Sequence, residues 1–439
     1  MALVRSNRPQ RRVRALRRSG ALLAIGLWSV SAWATAPTLL VGTSGDYAPF
    51  SLERDGRLEG FDVAVARAYS QERGLDLKFV RFRWPELLTD LAAGRFELAM
   101  SGVTVRPERS VAGRFTVPVV QSGAVALVHI ASGLDETASL DDPEVKLAVN
   151  AGGHLERVAR QLFPRAQITA FSNNADVREA VLDGAFDAAV TDTLEAPFWL
   201  HETEELRMLG PFTRDRKAYL VRPDLGERAA DLSAWLLERE ADGTLARLRT
   251  RWLNAGNAPP TALALPALLA AVDERLDLMP LVAELKRSSG DPVHVPEQED
   301  RVVVAASVAV ADAARRLGVP APRSDAVATL FRAQMAAAKE IQFAILAAPA
   351  PTESGAPMDL AALRQALLRI GDRIAELLVR LPSGLEEEQV HSLAQSGLDA
   401  PGLGALARDR IASGIIAVAA SREPACPSGS RLWPACPSP

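Results

Sequence analysis

The sequence predicts a chain with two folded parts: an α/β unit made of two similar lobes, followed by an all-α helical bundle. Strand and helix patterns alternate up to about residue 254, and almost exclusively helical patterns follow from residue 261. Within the first part, a pattern of helix end, glycine, phenylalanine, acid and buried strand occurs at residues 91–101 and again at 181–191. With 439 residues, the chain is also too long for one compact domain.

Composition and charge argue against several classes of function. The net charge of -4 gives no indication of a nucleic-acid partner, and the five histidines are scattered without ligand spacing, so no metal site is expected. The two cysteines, Cys426 and Cys436, lie near the C-terminus in a repeated Pro-Ala-Cys-Pro-Ser pattern, which makes thiol catalysis implausible. Residues 421–439 are expected to be a loose tail without a function, in which the cysteines could pair in an oxidising compartment.

Residues 1–36 have the pattern of an export signal. A strongly basic segment over residues 5–18 precedes an apolar run over residues 21–34, which ends in small residues suited to cleavage near Ala34 or Ala36. The run is too short for a membrane-spanning helix. We therefore expect a periplasmic protein without stable membrane association after export, by a Sec or a twin-arginine route.

Hydrophobic periodicity and helix start and stop residues predict the elements of the first unit. This unit is expected to span residues 37–255, with lobe 1 over about 37–121 and 216–255 and lobe 2 over about 122–215. Gly94 and Gly184 are expected to end two equivalent helices. The predicted elements are strand 39–43, a helix from Phe61, strand 75–82, a helix from Trp84 to Ala93, strand 145–149, a helix from His154, a return strand at 217–221 and a closing helix over 232–252.

The segment from Phe96 to Arg109 is the first candidate for a binding site. Apolar residues up to Met100 indicate a buried strand, and small polar residues then lead to Arg109 at a helix start. Backbone amides, a hydroxyl and a guanidinium would converge there on an anion, and the planar guanidinium suits a carboxylate because it donates two parallel hydrogen bonds. Open α/β sheets bind ligands at such strand ends. The alternative is an ordinary strand–loop–helix segment with a surface arginine.

Several motifs of the first unit resemble the polar amino-acid-binding proteins of bacterial transporters, the family 3 solute-binding-protein superfamily. These motifs are residues 45–50, 60–63, 100–104 with Arg109, and 217–220. Other details resemble periplasmic cyclohexadienyl dehydratases, which act on prephenate or arogenate; they are residues 84–87, 150–153 and 191–196. The resemblance implies the type II periplasmic-binding-protein fold, with two α/β lobes and a ligand cleft between them.

A dehydratase of this kind converts prephenate to phenylpyruvate, and the hydroxyl that leaves the ring must be protonated as it departs. A carboxylic acid in a closed and partly apolar cleft could stay protonated and act as that general acid. By resemblance, Glu195 is the catalytic candidate and Arg109 would hold the side-chain carboxylate. The other substrate-binding residues that the resemblance implies are Tyr47, Trp84, Thr104, His154, Asp192 and Lys217. The alternative for Glu195 is a solvated helix residue beside an N-cap at Asp192.

One departure from the dehydratase pattern lies at the start of the lobe 2 helix. His154 and Leu155 stand where these enzymes usually carry threonine and asparagine. A polar ligand contact is lost at Leu155. His154 either replaces the threonine as a hydrogen-bond donor or is an exposed helix-start residue.

The second unit, over residues 260–420, is predicted to be an all-α bundle. Apolar residues from Leu268 to Leu285 recur at steps of three and four, as in a buried helix stripe, which Pro280 could bend. Arg275 and Lys286 are eleven residues apart, so on one continuous helix both would point to nearly the same face. They either meet an anionic ligand or extend from a surface helix into solvent. Further helices are predicted at 301–316, 324–346, 360–381 and 403–420.

The bundle resembles the exported, all-helical chorismate mutases. The residues that carry this resemblance are 274–276, Lys286, 330–335, 339–342, Arg364 and Arg373. A chorismate mutase needs no acid, base or cofactor, because it holds one substrate conformer and places donors at the ether oxygen. By resemblance, Lys286 and Gln342 would be the catalytic donors. Substrate would be bound by Arg275, Arg373 and Glu299, whereas Gln298 and Ala338 depart from the family pattern.

Together the two resemblances predict a bifunctional exported enzyme of phenylalanine biosynthesis. The mutase would convert chorismate to prephenate, and the dehydratase would convert prephenate to phenylpyruvate, with arogenate to phenylalanine also open. The expected partners are these small-molecule substrates, with no nucleic acid and no cofactor, and a homo-oligomer is left open. The alternative is a polar amino-acid-binding receptor fused to a chorismate mutase, without dehydratase activity. A third reading is a degenerate paralogue.

Overall fold

The computed structural model describes residues 36–201, 203–255, 259–349 and 359–422. The predicted signal peptide up to residue 35 and both cysteines lie outside these ranges. Among the described helices, none is both long and apolar enough to cross a membrane. The chain from Pro37 onward forms one compact unit, so its α/β part and its helical part belong to a single packed body.

The α/β part consists of two lobes, which confirms the predicted two-lobed fold. Its strands are β1 (Thr38–Thr43), β2 (Asp46–Tyr47), β3 (Ser51–Arg54), β4 (Arg57–Glu59), β5 (Asp76–Arg81), β6 (Leu98–Ala99), β7 (Arg114–Phe115), β8 (Val120–Ser122), β9 (Ala124–His129), β10 (Lys146–Asn150), β11 (Gln167–Phe171), β12 (Ala188–Asp192), β13 (Leu206–Leu209), β14 (Asp215–Lys217) and β15 (Leu220–Val221). Its helices are α1 (Phe61–Glu72), α2 (Leu87–Ala92), α3 (Pro107–Ala112), α4 (His154–Leu162), α5 (Asn174–Leu182), α6 (Ala196–Leu200), α7 (Gly226–Ala241) and α8 (Thr244–Leu253).

Each lobe is built on one sheet whose core strands run parallel. The strand order is β5-β1-β6-β15-β7 in lobe 1 and β11-β10-β12-β9-β13 in lobe 2. Strands β1, β5 and β6 are parallel, as are β10, β11 and β12. Ligands bind at the carboxyl ends of such strands. Strands β8 and β14 form an antiparallel pair where the chain passes between the lobes, and the predicted return strand is divided into β14 and β15.

The repeated sequence pattern has nearly the same conformation in both lobes. Helices α2 and α5 end just before Gly94 and Gly184, whose φ angles are 71° and 69°. Each glycine amide donates to a carbonyl of the last helical turn, at 3.1 Å to Leu91 in lobe 1 and 3.1 Å to Val181 in lobe 2. A buried strand follows in each case, β6 or β12. The predicted glycine caps are therefore confirmed. In each lobe the glycine ends the helix and leads the chain into the buried strand that follows.

The helical part follows the second lobe crossing and contains mainly long helices. They are α9 (Ala264–Leu276), α10 (Met279–Ser289), α11 (Pro296–Leu317), α12 (Ser324–Ala347), α13 (Leu360–Leu378), α14 (Glu387–Gly397) and α15 (Ala405–Ala420). Helix α12 packs against α10, α11 and α15, and α13 packs against α9 and α11. This region is consistent with a helical bundle, and α14 is a helix that the sequence analysis did not predict.

Two helices that periodicity predicted as continuous are each divided. The closing helix of the α/β part is α7 followed by α8, with Gly243 at φ 78° between them. The apolar stripe from Leu268 to Leu285 lies on α9 and α10, with Pro280 in the first turn of α10. Apolar spacing does not record a change of helix direction, so the argument that Arg275 and Lys286 share one helix face is wrong.

The helical part shares its hydrophobic core with lobe 1. One continuous cluster of buried residues contains Val41 and Trp235 of lobe 1 together with Leu268 and Leu330 of the bundle. Most of lobe 2 packs in clusters of its own. The bundle is thus fixed to lobe 1, while lobe 2 is connected mainly through the β8–β14 crossing.

A pair of glycine substitutions tests the packing of α12 against α15. A Cβ at Gly414 would lie 2.9 Å from Leu330 Cα, whereas a Cβ at Gly371 would meet no atom within 4 Å. Both changes to alanine gain helix propensity, roughly 1 kcal/mol. We expect Gly371→Ala to raise the free energy of unfolding by about that amount. Gly414→Ala should lower it by about 1–3 kcal/mol because the helices must separate. Urea unfolding followed by circular dichroism measures both, and equal stabilisation by the two changes would contradict the close contact.

Candidate functional site

A closed cleft lies between the two lobes at the carboxyl ends of the parallel strands. Its lining residues are Tyr47, Trp84, Gly102, Thr104, Arg109, Asn150, Gly153, His154, Leu155, Asn174 and Lys217. The cavity volume is about 30 Å³, which is room for water but not for an organic ligand. Hydrogen bonds hold the lobes together across it, among them one from Arg106 Nη1 to the Gly153 carbonyl at 3.2 Å and one from Asn174 Nδ2 to the Asp46 carbonyl at 3.3 Å. Ligand entry therefore requires the lobes to separate.

Arg109 is a buried cation that meets no carboxylate among the described residues. It lies on α3, which begins at Pro107, and only 2% of its surface is exposed. Its Nη1 donates to the Thr104 carbonyl at 2.9 Å, and its guanidinium lies 5.7 Å from the Trp84 ring centre. Burial, and then the neighbouring Arg106, lower the pKa of Arg109 well below its usual value. A buried guanidinium in this state gains most from an incoming anion.

A second buried cation, Lys217, is fully engaged with protein groups. Its Nζ lies 3.0 Å from Asp192 Oδ2 and donates to Thr104 Oγ1 at 3.0 Å and to the Tyr47 hydroxyl at 3.1 Å. The Tyr47 hydroxyl in turn donates to Asp192. Burial alone raises the pKa of Asp192, but Lys217 and Tyr47 outweigh burial and lower it, so this carboxylate is ionised. This network joins lobe 1 to lobe 2.

Glu195 carries a buried carboxyl group directly behind the cleft, with 1% of its surface exposed. Asn174 Nδ2 donates to its Oε1 at 2.6 Å, and Thr191 Oγ1 donates to its Oε2 at 2.7 Å. Burial, and then the negative charge of Asp192, raise its pKa well above the usual value, which favours the protonated form of the group. The alternative of a solvated helix residue is excluded. Glu195 does not itself line the cleft cavity; Asn174 connects it to that cavity.

The departure at the start of α4 has a specific structural role. His154 Nε2 lies 2.8 Å from Asp215 Oδ1 on the crossing strand β14, and burial lowers the pKa of His154 although Asp215 opposes this. Leu155 lines the cleft as a buried apolar residue. His154 is therefore largely buried beside Asp215 rather than exposed, and Leu155 makes the site more apolar here than an asparagine would.

Asp62 is a supporting residue that the sequence analysis did not select. Its Oδ2 accepts from the Gly102 amide at 2.5 Å, and its Oδ1 accepts from the Tyr219 hydroxyl at 3.0 Å. Gly102 has a φ of 64°, and a Cβ there would collide with Tyr47 and Phe50. Asp62 thus fixes the loop that precedes Arg109. Its position within the motif at residues 60–63 was the only signal that could have found it.

Asn174 was also missed. It follows Asn173, the N-cap of α5, whose side chain accepts from the Ala175 amide at 3.2 Å. From sequence, the Asn173–Asn174 pair indicates only a helix start, because either residue could be the cap. Only the tertiary structure shows that Asn174 binds Glu195 within lobe 2 and also reaches the Asp46 carbonyl of lobe 1 across the cleft.

The helical part contains a second cavity, with a volume of about 400 Å³. Three guanidinium-bearing residues line it, namely Arg275, Arg301 and Arg364, together with Phe331 and aliphatic residues of α11 and α13. Burial lowers the pKa of Arg275 to about 10, and its Nη1 is buried without a hydrogen-bond partner. These features suit an anionic ligand with an apolar body.

The other residues predicted for the bundle do not line this cavity. Lys286 Nζ donates to the Val293 carbonyl at 3.3 Å, and Glu299 accepts from Lys339 Nζ at 2.9 Å. Gln342 is buried, and its Nε2 donates to the Ala338 carbonyl at 3.1 Å. Arg373 faces the α/β part, where its Nη1 donates to the Phe115 carbonyl at 2.5 Å and its Nη2 pairs with Glu274. The structure therefore brings together the predicted cleft residues but disperses those of the bundle.

Comparisons with known proteins cover the α/β part. A family model for bacterial extracellular solute-binding proteins, family 3, matches residues 39–255. Cyclohexadienyl dehydratase from Pseudomonas aeruginosa is 33% identical over 222 residues, which cover 49% of this chain and 82% of that protein. The L-cystine-binding protein TcyJ from Escherichia coli is 28% identical over 222 residues, which cover 50% of this chain and 83% of that protein. The crystal structure of the ancestral amino acid-binding protein AncCDT-1, a precursor of cyclohexadienyl dehydratase, is 33% identical with a TM-score of 0.47, and the match covers 49% of this chain and 95% of that one.

Replacing Asp62 tests the loop support through its pH dependence. Burial raises the pKa of Asp62 from 3.8 to about 7. Between these values the folded state binds the proton more tightly than the unfolded state, so this group stabilises the fold at low pH and loses that effect as pH rises. We expect the stability of Asp62→Asn relative to the unmodified protein to rise between pH 4 and 7, by on the order of 4 kcal/mol.

The measurement is urea unfolding across that pH range. The exposed Asp76 provides the control, since Asp76→Asn replaces a surface carboxyl group and leaves the buried Asp62 in place. A difference for Asp62→Asn that stays flat with pH would contradict the burial argument.

Proposed function

This chain belongs to the bacterial extracellular solute-binding proteins, family 3, and we propose that its cleft is an active site that dehydrates prephenate to phenylpyruvate. The helical part would supply the substrate as a chorismate mutase. The family name and the dehydratase resemblance support a periplasmic location. No cofactor is required for either proposed reaction.

The observation that carries the dehydratase proposal is the buried, hydrogen-bonded carboxyl group of Glu195 behind the cleft that contains Arg109. Its two oxygens are held by Asn174 and Thr191, and its pKa is raised by burial and by Asp192. A plain receptor has no need of a neutral acid at this place. A dehydratase does, because a hydroxide ion is a poor leaving group unless it is protonated.

The proposed reaction balances with these groups alone. The electron pair of the bond between the ring and its carboxylate moves into the ring as carbon dioxide departs. The ring becomes aromatic as the hydroxyl group leaves, and Glu195 donates the proton that makes it water. Glu195 is then a carboxylate and regains its proton from solvent when the lobes open.

The charges of the cleft favour an organic acid over an amino acid. Prephenate can offer a carboxylate to Arg109, the buried cation of the cleft that meets no carboxylate among the described residues, and it brings no ammonium group. An α-amino acid would need a free carboxylate for its ammonium group, but Asp192 is already paired with Lys217 and Tyr47. For the same reason prephenate is favoured over arogenate.

The alternative is a receptor for polar amino acids, the function of relatives such as TcyJ. For this function Lys217 would have to leave Asp192 when ligand enters. Turnover of prephenate by the full chain separates the two proposals directly.

Replacing the acid tests the dehydratase mechanism. Glu195→Gln keeps the side-chain volume and the hydrogen bond from Asn174 but removes the proton that the leaving group needs. We expect kcat for phenylpyruvate formation to fall about 10²–10⁴-fold while KM changes little. In the unmodified enzyme kcat should fall as pH rises through the raised pKa of Glu195, and this limb should be absent in the variant.

Glu240→Gln is the matched control, because Glu240 is a buried acid paired with Arg249 outside the cleft. This variant should lose stability but keep kcat. If the purified, unmodified protein binds prephenate without releasing phenylpyruvate, the dehydratase proposal is wrong. That result would favour the receptor alternative.

A chorismate mutase site is the second proposal, and the cavity of the bundle favours it. Arg275, Arg301 and Arg364 offer cations for the two carboxylates of chorismate, and the aliphatic lining and Phe331 suit its ring. Such a reaction depends on holding a compact conformer rather than on acid–base groups. Lys286 and Gln342, predicted as donors to the ether oxygen, lie outside this cavity, so their role stays a prediction.

Arg275→Ala tests the second proposal. The change removes the buried guanidinium, and we expect kcat/KM for chorismate to fall about 100-fold. Arg332→Ala, on an exposed face of α12, is the control and should leave the mutase rate unchanged. Prephenate formation followed by absorbance gives the readout, and an Arg275→Ala variant with unaltered kinetics would remove Arg275 from the site.

A further inference from the structure

The short helix α3 faces the cleft on one side and the helical bundle on the other. It has six residues, Pro107–Ala112, and it carries Arg109. A helix of this length is not stable in isolation, so its position depends on tertiary contacts. Next to Arg109 in sequence is Ser110, which is also buried and points to the bundle.

The contacts that hold α3 come from two helices of the bundle. Ser110 Oγ donates to Glu274 Oε1 of α9 at 2.9 Å. Arg369 of α13 donates through Nη2 to the carbonyls of Ser110 at 3.1 Å and of Val111 at 2.9 Å. These carbonyls belong to the last turn of α3, where orphan acceptors and the negative end of the helix favour a cation. The bundle thus caps the helix that positions the cleft guanidinium.

Glu274 is itself fixed by the bundle. Only 5% of its surface is exposed, and its second oxygen is paired with Arg373, which also donates to the Phe115 carbonyl of β7 at 2.5 Å. Both ends of the segment that runs from α3 to β7 are therefore held by α9 and α13. No other described charged side chain pairs with Ser110.

We propose that Glu274 and Arg369 of the helical bundle are positioning residues for the cleft, which act through α3 to hold Arg109 where it binds the substrate carboxylate. They do not touch the ligand themselves. The inference rests on the proposed function only for its readout, because the same positioning would govern any anion that binds Arg109. It also assigns the bundle a role in the cleft that is independent of any mutase activity.

The test measures prephenate dehydration by the full chain with Ser110→Ala and Arg369→Ala. We expect KM to rise about tenfold in each, with kcat changed less than about threefold, because a displaced guanidinium weakens binding more than it alters the acid. The decisive comparison is made in an Arg109→Ala background. There the same two changes should alter KM less than about twofold, since residues that act through Arg109 have nothing left to position.

Glu376→Gln is the matched control. Glu376 lies on α13 with Arg369 but pairs with Arg316 within the bundle, at 3.2 Å, so the change should leave KM unaltered. Ser110→Ala removes one oxygen, which keeps the test usable if Arg369→Ala does not fold. If Ser110 and Arg369 had a merely structural role, replacing them would raise KM equally with and without Arg109. That result would overturn the proposal, and so would an unaltered KM in both variants.

The two proposals fail in distinguishable ways. If the unmodified protein binds prephenate but does not turn it over, calorimetric Kd replaces KM as the readout, and only the dehydratase proposal is lost. If turnover is normal and the α3 variants keep their KM, only the positioning proposal is lost.

Discussion

A buried guanidinium without a carboxylate partner is the constraint around which the cleft is arranged. Taking the charge of Arg109 out of water costs free energy, and neither the Thr104 carbonyl nor the Trp84 ring returns as much as an anion would. The surrounding structure therefore has to hold it in place. It does so with Asp62 under the preceding loop and with the bundle behind α3.

Two carboxyl groups three residues apart have pKa values that their environments shift in opposite directions. Asp192 is ionised because Lys217 and Tyr47 contact it, and it also accepts the amides of Leu194 and Glu195 at 2.9 and 3.0 Å. Glu195 is buried, meets only neutral donors and lies near the charge of Asp192, so its pKa is raised. Environments that separate the pKa values of two neighbouring carboxyl groups in this way are what acid–base sites use.

The sequence was informative where local pattern and tertiary role coincide. Gly94 and Gly184 could be predicted because a helix that ends in a left-handed residue has few alternatives to glycine. Arg109 and Glu195 could be selected because their motifs resemble those of a family. Asn174 could not, since its helix-start position gives no indication of its tertiary contacts with Glu195 and, across the cleft, with the Asp46 carbonyl.

In the bundle, by contrast, sequence patterns predicted the helices but not the contacts of their charged residues. Apolar spacing indicated helices correctly but not their break at Leu278, and so it placed Arg275 and Lys286 on a single face that does not exist. Residues such as Arg373 carry a family spacing, yet their partners here are Glu274 and a lobe 1 carbonyl. Spacing along a chain cannot show which neighbour a long cationic side chain will select.

The hydrophobic cluster that runs from lobe 1 into the bundle makes the two parts of the chain depend on each other. Trp235 and Leu268 belong to the same hydrophobic cluster. Separating the α/β part from the bundle would therefore expose apolar surface to water. Either part expressed alone would thus present to water an apolar surface that the other part covers here, which favours aggregation.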